Sequence, residues 1–207
     1  FSLESFEAGS FRASPALPAG STVLYRGWML RVPDYARLVD EISAAGAKAL
    51  VGPAHYHLCH HLPEWYPLVS EYTAETVVLD DGCDYADALS HLEWEGYFVK
   101  DFVKSLGTGG GSLVASAGQV ESVVERLRKY RGSIEGGVCV RRGQQFVADT
   151  ERRYFVLLGQ ALAADGPVPP VVLECARRVA SPFFSVDTAT LPGGQVVIVE
   201  LGDGQVS

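Results

Sequence analysis

The stretch "YFVKDFVKSLGTGGGSLV", residues 97–114, constrains the fold more than any other part of the chain. A run of strand composition enters a glycine cluster (Gly107, Gly109, Gly110 and Gly111), and a second apolar run leaves it. Two such runs joined by a glycine-rich turn read as an antiparallel hairpin. Alternate residues of a strand share a face, so Lys100, Phe102 and Lys104 point the same way. Lysines so placed have two readings. They protect an exposed sheet edge, or they converge on phosphate oxygens beside a turn whose backbone N–H groups donate to the same oxygens. In a Walker A loop the Lys follows the glycines, and here it precedes them, so a P-loop is excluded. A protein-kinase Gly-rich loop also has its Lys afterwards. Ser112 stands where the dinucleotide fingerprint requires its last Gly.

The sequence upstream alternates strand and helix. Residues 21–30 read as a strand, 33–46 as a helix, 47–51 as a short strand, 76–80 as a strand and 83–92 as a helix. Tyr35, Leu38, Val39 and Ile42 form one apolar stripe; Pro33 suits the first turn of the helix and Gly46 its end. This order predicts an α/β layer with parallel pairing over residues 1–94. From residue 95 to 207 the connectivity changes. The hairpin is followed by a helix at 118–131, strands at 137–147 and 152–163, a helix at about 171–180, and strands at 183–191 and 195–202.

The formal net charge of −8 disfavours a general nucleic-acid partner, because such a surface repels phosphate backbones. No apolar run reaches the ~18 residues of a membrane span. The four cysteines form no CxxC pair and read as free thiols in a reducing cytoplasm. The chain opens without Met in the middle of a pattern, which leads us to expect part of a longer protein.

Several charged groups interrupt apolar runs. Asp187 lies inside "FFSVDTATL", Glu200 ends the next strand, and Asp203 follows. Two antiparallel strands joined by a short turn bring Asp187 and Glu200 together. Hard carboxylate oxygens so placed suit Mg²⁺ on nucleotide phosphates, and a buried unpaired carboxylate would be costly. Solvated strand ends are the plainer reading, which fits Asp203 better than the other two. In "TERRYFVLL", Glu151 and Arg153 alternate onto one face, where Arg153 meets either a phosphate or a surface acid. Arg141 and Arg142 point to opposite faces, so at most one of them meets a given ligand. "HYHLCHHLPEWY", residues 55–66, holds four of the five histidines. Structural zinc sites pair ligands from two separated segments, and there is no second Cys/His cluster. This segment is expected to pack or to face substrate rather than to hold an ion.

Taken in order, the segments "YRGWML", "CHHLPEWYPL", "YFVKDFVKS", "TERRYFVL", "FFSVD" and "VIVELGDGQVS" resemble the ATP-grasp family, in the clade named for its arginine and two lysines. The resemblance covers residues from about 22 to 207. It implies an α+β ATP-grasp fold, two α+β subdomains clasping ATP, preceded by a partial α/β domain. Lys100 and Lys104 would meet phosphates, and Gly109, Gly110, Gly111 and Ser112 would close over them. The backbone around Val140 and Arg141 would read adenine. Glu151 would lie at the nucleotide, Arg153 would bind the terminal or acyl phosphate, and Arg26 would face the acceptor. Asp187, Glu200 and Asp203 would hold Mg²⁺, with Asp203 replacing the Asn that the family places where Gly202 stands. The implied activity is ATP-dependent ligation of a small-molecule or peptide carboxylate to an amine, by a cytoplasmic enzyme with room for a homodimer. The alternative is a non-catalytic or regulatory nucleotide-binding module of a larger assembly.

Overall fold

Helix α2 (Val32–Ala44) forms where the apolar spacing puts it, with Tyr35, Leu38 and Ile42 buried and Pro33 in its first turn. The computed structural model describes residues 2–103 and 111–204, and α1 (Leu3–Glu7) and β1 (Thr22–Val23) come before α2. Strand β2 (Lys48–Ala49) follows and pairs with β1 in parallel, although each is only two residues long. The His-rich stretch folds into two helices, α3 (Pro53–His60) and α4 (Leu62–Val69), separated by an extended His61 at φ −98° and ψ 124°.

Strand β3 (Thr76–Leu79) departs from the parallel layer expected of the first 94 residues. It pairs antiparallel with β6 (Val138–Arg142), and Val77 and Leu79 pack on the same core as that strand. The expected helix at 83–92 shrinks to α5 (Tyr85–Ala88), capped at its start by Asp84. The first sheet has the order β3-β6-β4-β5, with β4 (Tyr97–Asp101) and β5 (Leu113–Val114) forming the hairpin expected from the glycine cluster. Helix α6 (Val120–Arg131) covers one face. Tyr97, Val99, Val138 and Val140 bury there against Val120, Val123, Val124 and Leu127. Strand alternation therefore turns Phe98, Lys100, Cys139 and Arg141 to the opposite face.

The second sheet has the order β10-β9-β7-β8, all antiparallel: β7 (Arg152–Leu157), β8 (Gln160–Leu162), β9 (Phe183–Thr190) and β10 (Val196–Gly202). Helices α4 and α7 (Pro170–Arg178) cover one face, where Val156, Phe184, Val186 and Ile198 pack with Trp65, Val172 and Cys175. The run 152–163, expected as one strand, folds back on itself. Leu158 (φ 50°) and Gly159 (φ 77°) form the turn between β7 and β8. An apolar Leu in a left-handed turn position carries no turn signal in the sequence.

A third core joins Phe6, Tyr35, Leu38, Ile42 and Tyr56 from α1, α2 and α3 to Phe183 of the second sheet. Among the described residues, no helix is long and apolar enough to cross a membrane. The fold is α+β: two antiparallel sheets, each with helices on one face, and a small parallel unit ahead of them.

Candidate active site

The face of the first sheet opposite α6 meets β10, the edge strand of the second, and charged side chains join them. Strand β4 is an interior strand, between β6 and β5, so edge protection does not account for Lys100. Lys100 is 2% exposed, and its Nζ donates to Glu200 Oε1 on β10. Arg141 on β6 is also buried. Its Nη1 donates to the Val199 carbonyl at 2.6 Å and its Nη2 to Thr73 Oγ1. Burial pulls the Arg141 pKa down, opposed by the Glu200 carboxylate nearby.

Three charged residues form one row across the second sheet. Arg153 on β7 lies opposite Asp187 on β9, and Asp187 lies opposite Glu200 on β10. Arg153 grips Asp187 with both prongs, Nε to Oδ1 at 2.7 Å and Nη2 to Oδ2 at 2.8 Å. This carboxylate raises the Arg153 pKa. A β-bulge sets the row. Ile198 pairs with Thr188, but the next pair is Glu200 with Asp187, so Val199 is the extra residue. Without the bulge, Val199 would face Asp187, and Glu200 would turn with Val186 toward the helix-packed side. The bulge thus puts Glu200 on the face of Asp187, and the Val199 carbonyl accepts from Arg141.

Beside the charged row lies an apolar cavity of about 260 Å³. Phe98, Leu113 and Arg141 of the first sheet line it, with Ile198 and Val199 of the second and Phe146 from the segment that crosses between the sheets. The Gly143 N–H donates to the Gly96 carbonyl at 2.7 Å, and a Cβ on Gly143 would sit 2.9 Å from Leu113 Cδ1. The crossing segment starts from this close approach. Val140 is placed otherwise than the sequence reading has it. It pairs with Val77 and Val99 in the middle of the sheet and is buried under α6, so its backbone belongs to the ladder. The residues of this stretch that line the cavity lie further on, Arg141, Arg142, Gln144 and Phe146. Ser112 is tied to β4 through its carbonyl, which accepts from Val99 N–H at 2.8 Å, and Gly111 has φ 72°. Lys104, Gly109 and Gly110 lie outside the described residues.

The remaining candidates stand apart from the row. Glu151 is exposed just ahead of β7 and raises the Arg153 pKa from a distance. The Arg26 guanidinium lies over the Phe155 ring, 4.7 Å from its centre, two residues along β7 from Arg153. Asp203 is buried with its Oδ2 2.8 Å from His60 Nδ1. Burial and this carboxylate push the Tyr25 hydroxyl up to about 12 and raise those of Tyr35 and Tyr56. At Gly202 a Cβ would lie 2.9 Å from Ser185 Oγ, so any side chain there needs Ser185 to move. The four cysteines are free, and burial pushes Cys59, Cys139 and Cys175 up to about 12, which leaves them un-ionised and poor nucleophiles. Sequence reasoning missed Phe98, Leu113, Phe146 and Thr73. Of these, only Phe98 had a legible signal, its alternation with Lys100.

A family model for the ATP-grasp domain, the third family of the clade named for one arginine and two lysines, matches residues 62–207. Among solved structures, a RimK domain protein ATP-grasp from Sphaerobacter thermophilus superposes with a TM-score of 0.63 at 18% identity, over 98% of this chain and 85% of that one. The D-alanine-D-alanine ligase from Coxiella burnetii gives 0.62 at 12% identity, over 82% of this chain and 55% of its own length. A D-alanine–D-alanine ligase from Bacillus anthracis complexed with ATP gives 0.57 at 14%, over 81% of this chain and 62% of that one. The chain thus spans about half to two thirds of the length of these two ligases. No curated protein matches it in sequence.

Proposed function

The chain belongs to the ATP-grasp family, in the third family of the arginine-and-two-lysine clade, and on that premise we propose that it is an ATP- and Mg²⁺-dependent ligase. It would activate a carboxylate as an acyl phosphate and join it to an amine. The observation that carries this reading is the charged row Arg153–Asp187–Glu200 with Lys100 reaching it from the other sheet. Phosphoryl transfer asks a protein mainly for positioning and charge neutralisation, and this row offers both without a nucleophilic side chain.

In the proposed reaction a substrate carboxylate oxygen attacks the γ-phosphorus of ATP, and ADP leaves. An amine then attacks the acyl carbon, loses a proton and expels inorganic phosphate. The apolar cavity suits an aromatic base, and the segment of Arg142, Gln144 and Phe146 that lines it would offer backbone to the base edge. Lys100, and with it Lys104, would take phosphate oxygens, beneath Gly109, Gly110, Gly111 and Ser112. Arg141 would stay a strut at the floor of the site. Arg153 would balance charge at the transferred phosphoryl, and Arg26, over Phe155, would orient the acceptor carboxylate.

Asp187 and Glu200 fit a hard divalent cation, being two carboxylates face to face across a strand pair. Each is neutralised by its own cation, Arg153 or Lys100. Mg²⁺ bound there would offset the charge of the triphosphate. For Asp203 the buried contact with His60 favours a positioning role over direct ligation. We place the division between an N-terminal part and an ATP-grasp part at residues 94 and 95, with β3 tying the two, and we place the protein in the cytoplasm.

The test is ADP release in the presence of pooled amino acids and peptides. The reading predicts Mg²⁺-dependent ADP formation that rises at least about 10-fold when an acceptor carboxylate and an amine are both present. ATP binding without turnover in any pool would favour the non-catalytic nucleotide-binding module.

A further inference from the structure

We propose that His60, His61 and Glu135 form a binding site for one borderline transition cation of the Zn²⁺ or Co²⁺ class, separate from the phosphate-facing carboxylates. One ligand atom from each of the three lies within 4.8 Å of the others. His61 Nε2 and Glu135 Oε1 are 3.4 Å apart. Tetrahedral zinc with bonds of about 2.0–2.1 Å sets neighbouring ligand atoms about 3.3–3.4 Å apart, so this edge already has the required length. An edge at the 4.8 Å limit closes to that length with about 1.4 Å of movement on the same geometry.

Both imidazoles are oriented from behind. His60 Nδ1 is held by Asp203 Oδ2 at 2.8 Å, and His61 Nδ1 faces His57 Nε2 at 3.1 Å. A carboxylate on the far nitrogen, as Asp203 is for His60, is a usual support of a metal-bound His, because it sets the tautomer and leaves the other nitrogen for the ion; at His61 the imidazole of His57 would take that place as an acceptor. Two neighbouring histidines can share an ion here because α3 ends at His60 and His61 is extended, which redirects the second ring.

Glu135 is placed by a built contact. The Phe102 N–H donates to the Glu135 carbonyl at 3.3 Å, and the Phe102 ring fills the space where a side chain on Gly136 or Gly137 would go. A Cβ on Gly136 would come within 2.2 Å of that ring. The same Phe102 touches the His61 ring, and its carbonyl accepts from Leu62 N–H at 2.8 Å. The sequence offers no second Cys/His cluster, and the structure brings in Glu135, 74 residues from His61, as the ligand from a separated segment. The ligand set, two imidazole nitrogens and one carboxylate oxygen, prefers zinc or cobalt to magnesium and leaves a fourth position for water. The ion would clamp the α3–α4 junction to the loop ahead of β6.

The test is a Co²⁺ titration of the full chain after chelator treatment, in excess Mg²⁺ to occupy hard carboxylate sites and without nucleotide. It therefore stands or falls apart from the ATP reading. The expected result is visible d–d absorption of a tetrahedral site saturating at one equivalent and displaced by Zn²⁺. Glu135→Gln should weaken binding at least 10-fold, His61→Ala should abolish it, and Asp203→Asn should weaken it about 10- to 100-fold. His91→Ala should bind as the parent does. Glu135 is partly exposed, so Glu135→Gln decides the matter even where a His variant fails to fold. A parent without a saturable site, or a folded Glu135→Gln or His61→Ala that binds like the parent, would overturn the proposal.

Discussion

Replacing Lys100 with Met is expected to weaken Mg·ATP binding at least about 30-fold, because truncating one side of a buried charge-assisted contact costs about 2–5 kcal/mol. The ammonium is 2% exposed on an interior strand and reaches across to the second sheet, a place where a lysine that only lends solubility is not found. From sequence alone the expected loss is in binding, with little change in stability. The ion pair with Glu200 revises that. Lys100→Met also leaves a largely buried carboxylate without its cation, which costs up to about 3–5 kcal/mol. The stability effect is isolated in the double variant Lys100→Met/Glu200→Leu, in which ATP binding is lost through Glu200 as well. An apolar pair of similar volume often replaces a buried ion pair without loss, so stability returns toward that of the parent while ATP binding does not. Calorimetric titration and urea unfolding measure the two quantities. A single variant that binds ATP within threefold of the parent contradicts the phosphate role of Lys100.

Asp187→Asn and Glu200→Gln lower ATP turnover by about two orders of magnitude or more. On the proposed reading each removes a hard anionic ligand of the Mg²⁺ whose charge would stabilise the transition state. Raised Mg²⁺, or Mn²⁺ in its place, should restore part of the loss. The stability effects differ between the two. In the sequence the two carboxylates look like mutual repellers, so neutralising either would relieve strain. In the structure each already faces a cation, and the cations differ in burial: the Lys100 side chain is 3% exposed and the Arg153 side chain 37%. Glu200→Gln strands a buried ammonium and should lower the urea midpoint clearly. Asp187→Asn leaves Arg153 with access to water and should lower it little. Equal stability losses, or turnover unaffected by either change, would go against this assignment.

The sequence shows the order of elements because most follow local rules: the stripe of α2, the glycine hairpin, and the alternation that puts Lys100 and Arg141 opposite the α6 face. It brings Asp187 and Glu200 together because a short turn joins their strands. What it hides depends on contacts across long separations. The pairing of β3 with β6 comes from a shared core around α6 that no local pattern announces. The bulge at Val199, which decides whether Glu200 faces Asp187 or the helices, has no marker in an apolar run such as "VVIVELG". The turn at Leu158-Gly159 is hidden in the same way. The apolar cavity is assembled from five separate stretches of chain that meet only when the sheets do. His60 and Asp203, 143 residues apart, pair for the same reason.

The claim that this chain holds Mg·ATP between its two sheets is tested most directly by thermal unfolding with and without Mg·ATP. A ligand at 100 times its Kd stabilises the native state by about 2.7 kcal/mol. For a chain of this size that raises the melting temperature by roughly 5–10 °C. The account predicts a rise of that order that grows with ATP concentration, requires Mg²⁺ for its full size, and is lost in Lys100→Met. A folded parent whose melting temperature does not move at millimolar Mg·ATP would contradict it.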